Sequence, residues 1–323
     1  MGNKKVSVVV ATYNQEKYIG HTLESIVSQK VNFEYEVLVG DDCSTDGNAA
    51  VIKEYAEKYP EIIVPFLREK NLGMGGNVAD LMMRTTGEYV AFIEGDDYWI
   101  DDNKLQKQVD FLDSHPDYVA CFGLCQIVDA NEVRQPEREQ WSGFMKEGGD
   151  YSLKMFEEYI LPGQTATSMY RRVAYGQLQQ AVMNAGIDPR KLIDRSQVLC
   201  MMAVGKMYNL GEYTAAYRYV LTEGSGSWSS KNDFYSKENV INYLQGMKDM
   251  ESIAQALKLE LNFDERRKTE LIKLEDNYSQ FSKEDYNEIF NKLVEDSYDK
   301  KQLKDIHSKR QVKRTIKKIL RRQ

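Results

Sequence analysis

Four short apolar runs punctuate the first third of the chain: Val6 to Ala11, Tyr35 to Val39, Ile62 to Leu67 and Tyr89 to Ile93. The segments between them carry apolar residues at helical spacing, as Ile19, Leu23, Ile26 and Val27 do within Tyr18 to Ser28. Val6 to Ala11 is continuous and largely β-branched, which suits a strand buried on both faces. Strands alternating with helices predict an α/β fold with a mostly parallel sheet and flanking helices. This pattern also says where to look for chemistry, because ligands of such sheets collect outside the carboxyl ends of the strands. Two of those ends carry acidic pairs, Asp41-Asp42 and Asp96-Asp97.

Further along, helices are expected over 46–59, with Asp46 as N-cap and Pro60 past the end, over 77–85, and over 103–114. Strands are expected over 118–128, 164–171 and 213–220, a polar loop over 135–149, and a helix beyond Asp194 within 190–204. Thr222 to Ser230 is small and Gly/Ser-rich, the composition of a loop or hinge. After about residue 233 strand patterns stop, and helical patterns follow over 236–260, 264–280, 283–297 and 300–322. The expected organisation is an α/β domain over 1–228 and an all-helical C-terminal region over 229–323.

Three ordered motifs resemble glycosyltransferase family 2: Val8-Val-Val-Ala-Thr-Tyr-Asn14, Val37-Leu-Val-Gly-Asp-Asp-Cys-Ser-Thr-Asp-Gly47 and Phe92-Ile-Glu-Gly-Asp-Asp-Tyr98. The resemblance spans about residues 5–225 and implies the Rossmann-like GT-A fold. It implies an inverting, metal-dependent hexosyl- or N-acetylhexosaminyltransferase that moves a sugar from a UDP-sugar donor to a glycan acceptor. The acceptor expected from bacterial members is a lipid-linked surface polysaccharide.

The same resemblance assigns roles. Ala11, Tyr13 and Glu16 cup the base, Asp42 accepts from the ring N–H of uracil (thymine presents the same donor), and Asn77 follows a glycine-rich loop beside the nucleotide. Asp97 is expected as the metal ligand, with Asp96 contacting the ribose or assisting at the metal. Hard cations such as Mn²⁺ or Mg²⁺ take carboxylate oxygens, and a divalent cation can stabilise the leaving diphosphate. Asp194, in Leu192-Ile-Asp-Arg-Ser-Gln197, is expected as the base that takes the acceptor's proton. Tyr217-Arg218 with Gly224-Ser-Gly-Ser-Trp228 resembles a closing loop over the donor. Read without the family, Asp96-Asp97 also suits an exposed N-cap pair and Asp41-Asp42 a polar turn. Asn71-Leu-Gly-Met-Gly-Gly-Asn77 lacks the Gly-Lys-Ser/Thr ending of a P-loop, and Gly76 stands where a basic residue is usual.

Charge is distributed unevenly. From Lys300 onward eleven Lys/Arg face one Asp, a balance of +10 in a chain of net −7, so the preceding residues carry −17. Ile306, Val312, Ile316, Ile319 and Leu320 fall near one helical stripe among those basic residues. A basic amphipathic helix of this kind suits an anionic membrane surface, here the inner face of the cell membrane, for a cytoplasmic, peripheral protein. Nucleic acid is not expected as a partner, because no aromatic residues interleave the basic ones and the body is acidic. The middle helices, about 236–297, offer a surface for a homodimer. The scattered cysteines, Cys43, Cys121, Cys125 and Cys200, read as reduced thiols. His21, His115 and His307 have no metal-ligand spacing and read as surface residues. The rival functions are a nucleotidyltransferase, which would want a basic phosphate loop after the first strand, and a non-catalytic membrane-bound scaffold.

Overall fold

A computed structural model describes residues 4–187, 194–220 and 236–320, and the side chains of these except at 194 and 314–320. The chain divides into two compact units, Met1–Ser152 with Ile160–Lys231, and Leu153–Tyr159 with Asn232–Gln323.

The first unit is built on strands β1 (Val6–Thr12), β2 (Tyr35–Asp41), β3 (Ile63–Leu67), β4 (Tyr89–Glu94), β5 (Tyr98–Trp99), β6 (Tyr118–Val128), β7 (Gly149–Asp150), β8 (Met169–Arg171) and β9 (Lys206–Arg218). Its helices are α1 (Glu16–Val27), α2 (Asn48–Lys58), α3 (Gly73–Arg84), α4 (Lys104–Ser114), α5 (Pro136–Trp141), α7 (Arg172–Asn184) and α8 (Asp194–Met202), while α6 (Leu153–Glu157) falls in the second unit. The strands form one sheet in the order β3-β2-β1-β4-β8-β6-β9-β5, with β7 paired to β9. Pairing is parallel among β1 to β4, as the alternating pattern requires. The sheet as a whole is mixed, because β8 enters antiparallel between β4 and β6. Every residue of β1 is buried, and Val8, Val10, Val37, Val39, Ala91 and Ile93 pack with Ile19, Leu23 and Ile26 of α1 into one core.

Several elements depart from the sequence reading. α3 begins at Gly73, not Asn77, so the glycine-rich segment is its first turn. Glycine is a poor helix former, but one tertiary and one local side-chain contact hold the turn: Leu72 N–H donates to Asp42 Oδ1 (2.7 Å) and Gly73 N–H to Asn71 Oδ1 (2.9 Å). β9 starts at Lys206, ahead of Gly211, whose φ of +76° interrupts the strand pattern and conceals its first half. The 135–149 loop contains α5, started by Pro136, a position where proline's missing N–H costs nothing. The 164–171 segment is a 3₁₀ turn, Thr165–Thr167, leading into the short β8.

The second unit carries α9 (Lys237–Ala256), α10 (Asp264–Asp276), α11 (Lys283–Asp296) and α12 (Lys300–Leu320). Ser236 and Ser282 cap α9 and α11, each accepting a backbone N–H three residues on. Inside it, Arg267 is enclosed and binds Glu251 through two 2.7 Å contacts. His307 is not a surface residue: only 17% of its side chain is exposed, and Nδ1 lies 2.7 Å from the enclosed Glu275. On α12, Leu303 is buried and Ile306 half-buried, while Val312 further along is 58% exposed.

Candidate active site at the strand ends

Strand register brings the two acidic pairs together. Ala11 of β1 pairs with Gly40 of β2 on one side and Glu94 of β4 on the other, and Thr12 pairs with Asp41. The chain past each strand stays tied to β1. Asp42 N–H donates to the Thr12 carbonyl and Gly95 N–H to the Ala11 carbonyl, both at 3.0 Å. Asp41-Asp42 and Glu94–Asp97 therefore flank the end of β1, which continues into the exposed Tyr13.

The Glu94–Asp97 turn is held from several directions. Gly95 is required there, because a Cβ would come under 3.0 Å from Thr12 Oγ1 and Gln15 Oε1. The Thr22 hydroxyl on α1 donates to the Asp97 carbonyl at 2.6 Å. Asp97 is only 1% exposed, and both of its carboxylate oxygens are engaged. Oδ1 accepts from Arg218 N–H and Oδ2 from Gln164 Nε2, each at 2.9 Å. The Arg218 side chain is also enclosed. It donates from Nε to the Asp96 carbonyl (2.8 Å), contacts Glu132 from Nη2 (3.1 Å) and lies 4.5 Å from the Tyr18 ring centre. Arg218 thus braces the acidic turn. Asp96, by contrast, is only partly enclosed.

This crowding has an electrostatic signature. Burial, then the charges of Asp96 and Glu94, push the Asp97 carboxyl well above the usual carboxylate range, against the hydrogen bonds from Arg218 and Gln164. Burial also raises Asp96, opposed by Arg218 and Gln15. The Tyr217 phenol is pushed up by burial and by the same three carboxylates. A bound cation would relieve such repulsion. Among the described residues no set of three His, Cys, Asp or Glu side chains converges to hold a metal alone. One or two carboxylates with substrate phosphates and water is, however, the usual arrangement for a Mg²⁺-type ion. The residues present fit a divalent cation on those terms.

On the other flank Asp42 is 3% exposed, its Oδ1 accepting from Leu72 N–H while Asn71 Nδ2 donates to its carbonyl (2.9 Å). Asp41 braces the turn, accepting from Asn48 Nδ2 (2.6 Å) and Ser44 N–H (3.1 Å). Glu16 caps α2 through Gly47 N–H (2.9 Å), while Asp46 caps α1 through Glu16 N–H (3.0 Å), so the two helix starts are cross-braced. Asn77 is 1% exposed and its amide donates to the Gly40 carbonyl (2.7 Å). That contact ties α3 to β2, and Asn77 sits inside the helix, not at its start. Asp194 opens α8, with its side chain outside the described residues, as is the expected closing-loop segment Gly224 to Trp228. Gln164, Thr22 and Gln15 were not singled out by motif. They are isolated polar residues in sequence and join the site only through tertiary contacts.

The Glycosyl transferase family 2 sequence model matches residues 7–177. An uncharacterized protein of Mycobacterium tuberculosis is 41% identical over 132 residues, which is 41% of this chain and 38% of that relative's length. Poly(ribitol-phosphate) beta-N-acetylglucosaminyltransferase TarS of Staphylococcus aureus is 38% identical over 112 residues, 34% of this chain and 19% of TarS. The structure of S. aureus TarS 1–349 in complex with UDP-GlcNAc superposes with a TM-score of 0.59 at 22% identity, covering 90% of this chain and 80% of that one. The mannosyltransferase PcManGT of Pyrobaculum calidifontis, in complex with GDP-Man and Mn²⁺, gives a TM-score of 0.50 at 15% identity over 77% of this chain and 64% of that one. The fold is thus of the GT-A type, with a helical region after it. With the family match spanning more than half of the sequence and the acidic strand ends in place, the chain belongs to glycosyl transferase family 2.

Proposed function

We propose that this enzyme is an inverting, metal-dependent transferase that moves a sugar from a UDP-sugar to a glycan acceptor, lipid-linked, in bacterial surface polysaccharide synthesis. The observation that carries this reading is the convergence of Asp42 and the Glu94–Asp97 turn on the two flanks of β1. The complex of TarS with UDP-GlcNAc supports a uridine donor, and the S. aureus and Bacillus subtilis relatives named for ribitol-phosphate and teichuronic acid polymers support a surface-glycan acceptor.

In this reading Asp42 accepts from the base N–H, with Tyr13 and Ala11 forming the wall beside it. Glu16 and Asn77 serve as braces, since their side chains cap α2 and hold β2. Asp96 is the carboxylate left for the cation, and Asp97 anchors the turn, because Asp97 is enclosed with both oxygens engaged by Arg218 and Gln164. In this reading Asp96, expected from sequence to contact the ribose or assist at the metal, takes the ligand role expected of Asp97. A divalent cation held there by Asp96 would supply Lewis-acid stabilisation of the diphosphate as it leaves. Asp194 at the head of α8 takes the proton from the acceptor hydroxyl. Residues 1–228 form the catalytic domain, and 229–323 form a helical region that docks on anionic membrane through α12 and supplies a homodimer surface. Among the described residues no helix is long and apolar enough to cross a membrane.

A panel of UDP-glucose, UDP-galactose, UDP-N-acetylglucosamine and UDP-N-acetylgalactosamine, assayed for hydrolysis and thermal stabilisation with Mn²⁺ or Mg²⁺, tests the reading. Metal-dependent hydrolysis of one donor is expected. Neither hydrolysis nor stabilisation by any of them, with either metal, would refute it.

A further inference from the structure

The first turn of α4 contains a lysine with no exposed surface. Lys104 makes no ion pair among the described residues. Its ammonium donates to Gln108 Oε1 (2.7 Å), lies 3.5 Å from the Ser168 carbonyl, and sits 4.3 Å from the centre of the Trp99 ring. Burial drives its proton affinity down to about 7, with Cys121 and Asp101 opposing that shift. Enclosing an ammonium without a counter-charge is costly, and an apolar side chain would fill the same space at less cost. The donors around it explain the lysine. Gln108, also fully enclosed, donates to the Thr167 carbonyl at 2.8 Å and to the Cys121 carbonyl at 3.0 Å. Trp99 Nε1 donates to the Ala166 carbonyl at 2.8 Å.

Three consecutive carbonyls, Ala166, Thr167 and Ser168, therefore each receive a side-chain donor from the segment that follows the acidic turn. Those carbonyls belong to the 3₁₀ turn that Gln164 caps and to Ser168 at its C-terminal end. Gln164 Oε1 accepts from Ala166 N–H (2.5 Å), which fixes the amide so that Nε2 points at Asp97. The path runs from Lys104 through a locked turn to the carboxylate beside Asp96.

We propose that Lys104, Gln108 and Trp99 form a buried positioning clamp, which sets Gln164 against Asp97 and thereby aims Asp96 at the donor diphosphate. This rests on the reading of the Glu94–Asp97 turn as the diphosphate site. Lys104 and Gln108 are positioning residues and touch no substrate. Deleting the clamp should leave base binding on the β1–β2 flank intact while loosening the metal-facing turn.

The test uses the full chain with Lys104→Met, Gln164→Leu and the double variant. UDP affinity is measured by calorimetry without metal, Mn²⁺ affinity in the presence of UDP by electron paramagnetic resonance, and hydrolysis on the UDP-sugar panel. The clamp predicts UDP affinity within twofold of wild type, Mn²⁺ affinity down about tenfold, and kcat down at least tenfold with KM nearly constant. It also predicts that the double variant is no worse than Gln164→Leu alone, as expected of residues acting through one contact. Should Lys104→Met not fold, Gln108→Leu must show the same split. Unchanged Mn²⁺ affinity and kcat in a folded variant, or losses that multiply in the double variant, would overturn the clamp while leaving the site reading intact. A wild-type enzyme indifferent to both Mn²⁺ and Mg²⁺ would bring down the site reading, and the clamp with it.

Discussion

Lys104 also makes a stability prediction whose size follows from its burial. In the unfolded chain its ammonium has the ordinary value of 10.5, and in the folded enzyme it is held down to about 7. Below pH 7 the group is protonated in both states, and the folded state bears the full cost of the buried charge. Between pH 7 and 10.5 the unfolded chain binds more protons than the folded one, so stability rises with pH, by about 1.4 kcal/mol per pH unit for one group. From pH 6 to pH 9 roughly two units of that window are crossed, giving about 3 kcal/mol. Of the groups facing the ammonium, the Cys121 thiol is pushed up to about 12 and stays neutral over this range. The perturbation is Lys104→Met, and the quantity is the difference in unfolding free energy between wild type and variant, which cancels groups common to both. Urea unfolding at pH 6, 7, 8 and 9, with equal m-values required, gives that difference directly. Wild type should gain about 3 kcal/mol on the variant between pH 6 and pH 9. A flat difference would mean that Lys104 is not titrating as a buried, uncompensated ammonium, and the argument from its burial would fail.

The other predictions concern the site and its supports. Asp96→Asn should weaken Mn²⁺ binding in the presence of UDP about tenfold or more and by more than Asp97→Asn does; the reverse order in a paramagnetic titration would return the ligand role to Asp97. Gly40→Ala would place a Cβ under 3.0 Å from Asn77 Oδ1 and Leu81 Cδ1. It should cost about 1–3 kcal/mol from overpacking, plus the Asn77–Gly40 hydrogen bond, and a melting temperature equal to wild type would contradict this. Asp194→Asn should abolish sugar transfer while UDP affinity is retained, and near-normal turnover would remove Asp194 from the mechanism. The intact chain should float with anionic vesicles and not with neutral ones; absence from both fractions would exclude membrane docking through α12.

Local pattern specified much of this protein. The apolar, mostly β-branched run Val6 to Ala11, broken only by Ser7, suits a central strand, and β1 is buried along its length. The alternation of strands and helices placed Asp41-Asp42 and Asp96-Asp97 at carboxyl ends, and parallel register then set them on either side of β1. The C-terminal helices could be read from periodicity because each repeats its apolar face over several turns, with Ser236 and Ser282 marking two starts. Sequence failed where a residue's state depends on something remote. The Gly-rich segment before Asn77 looks like a loop, yet Asp42 supplies the partner that lets it coil. Asp96 and Asp97 are adjacent and chemically identical, so nothing local ranks them. Their difference comes from Gln164 and Arg218, which lie 67 and 121 residues beyond Asp97 and meet its two oxygens. Nothing in the sequence around Lys104 marks it as enclosed; its burial depends on the turn at 165–167 arriving over α4. Periodicity and turn chemistry act over a few residues, so they determine elements and the order of strand ends. Enclosure and hydrogen-bond direction depend on which distant segments arrive at the same place, and only the tertiary structure decides that.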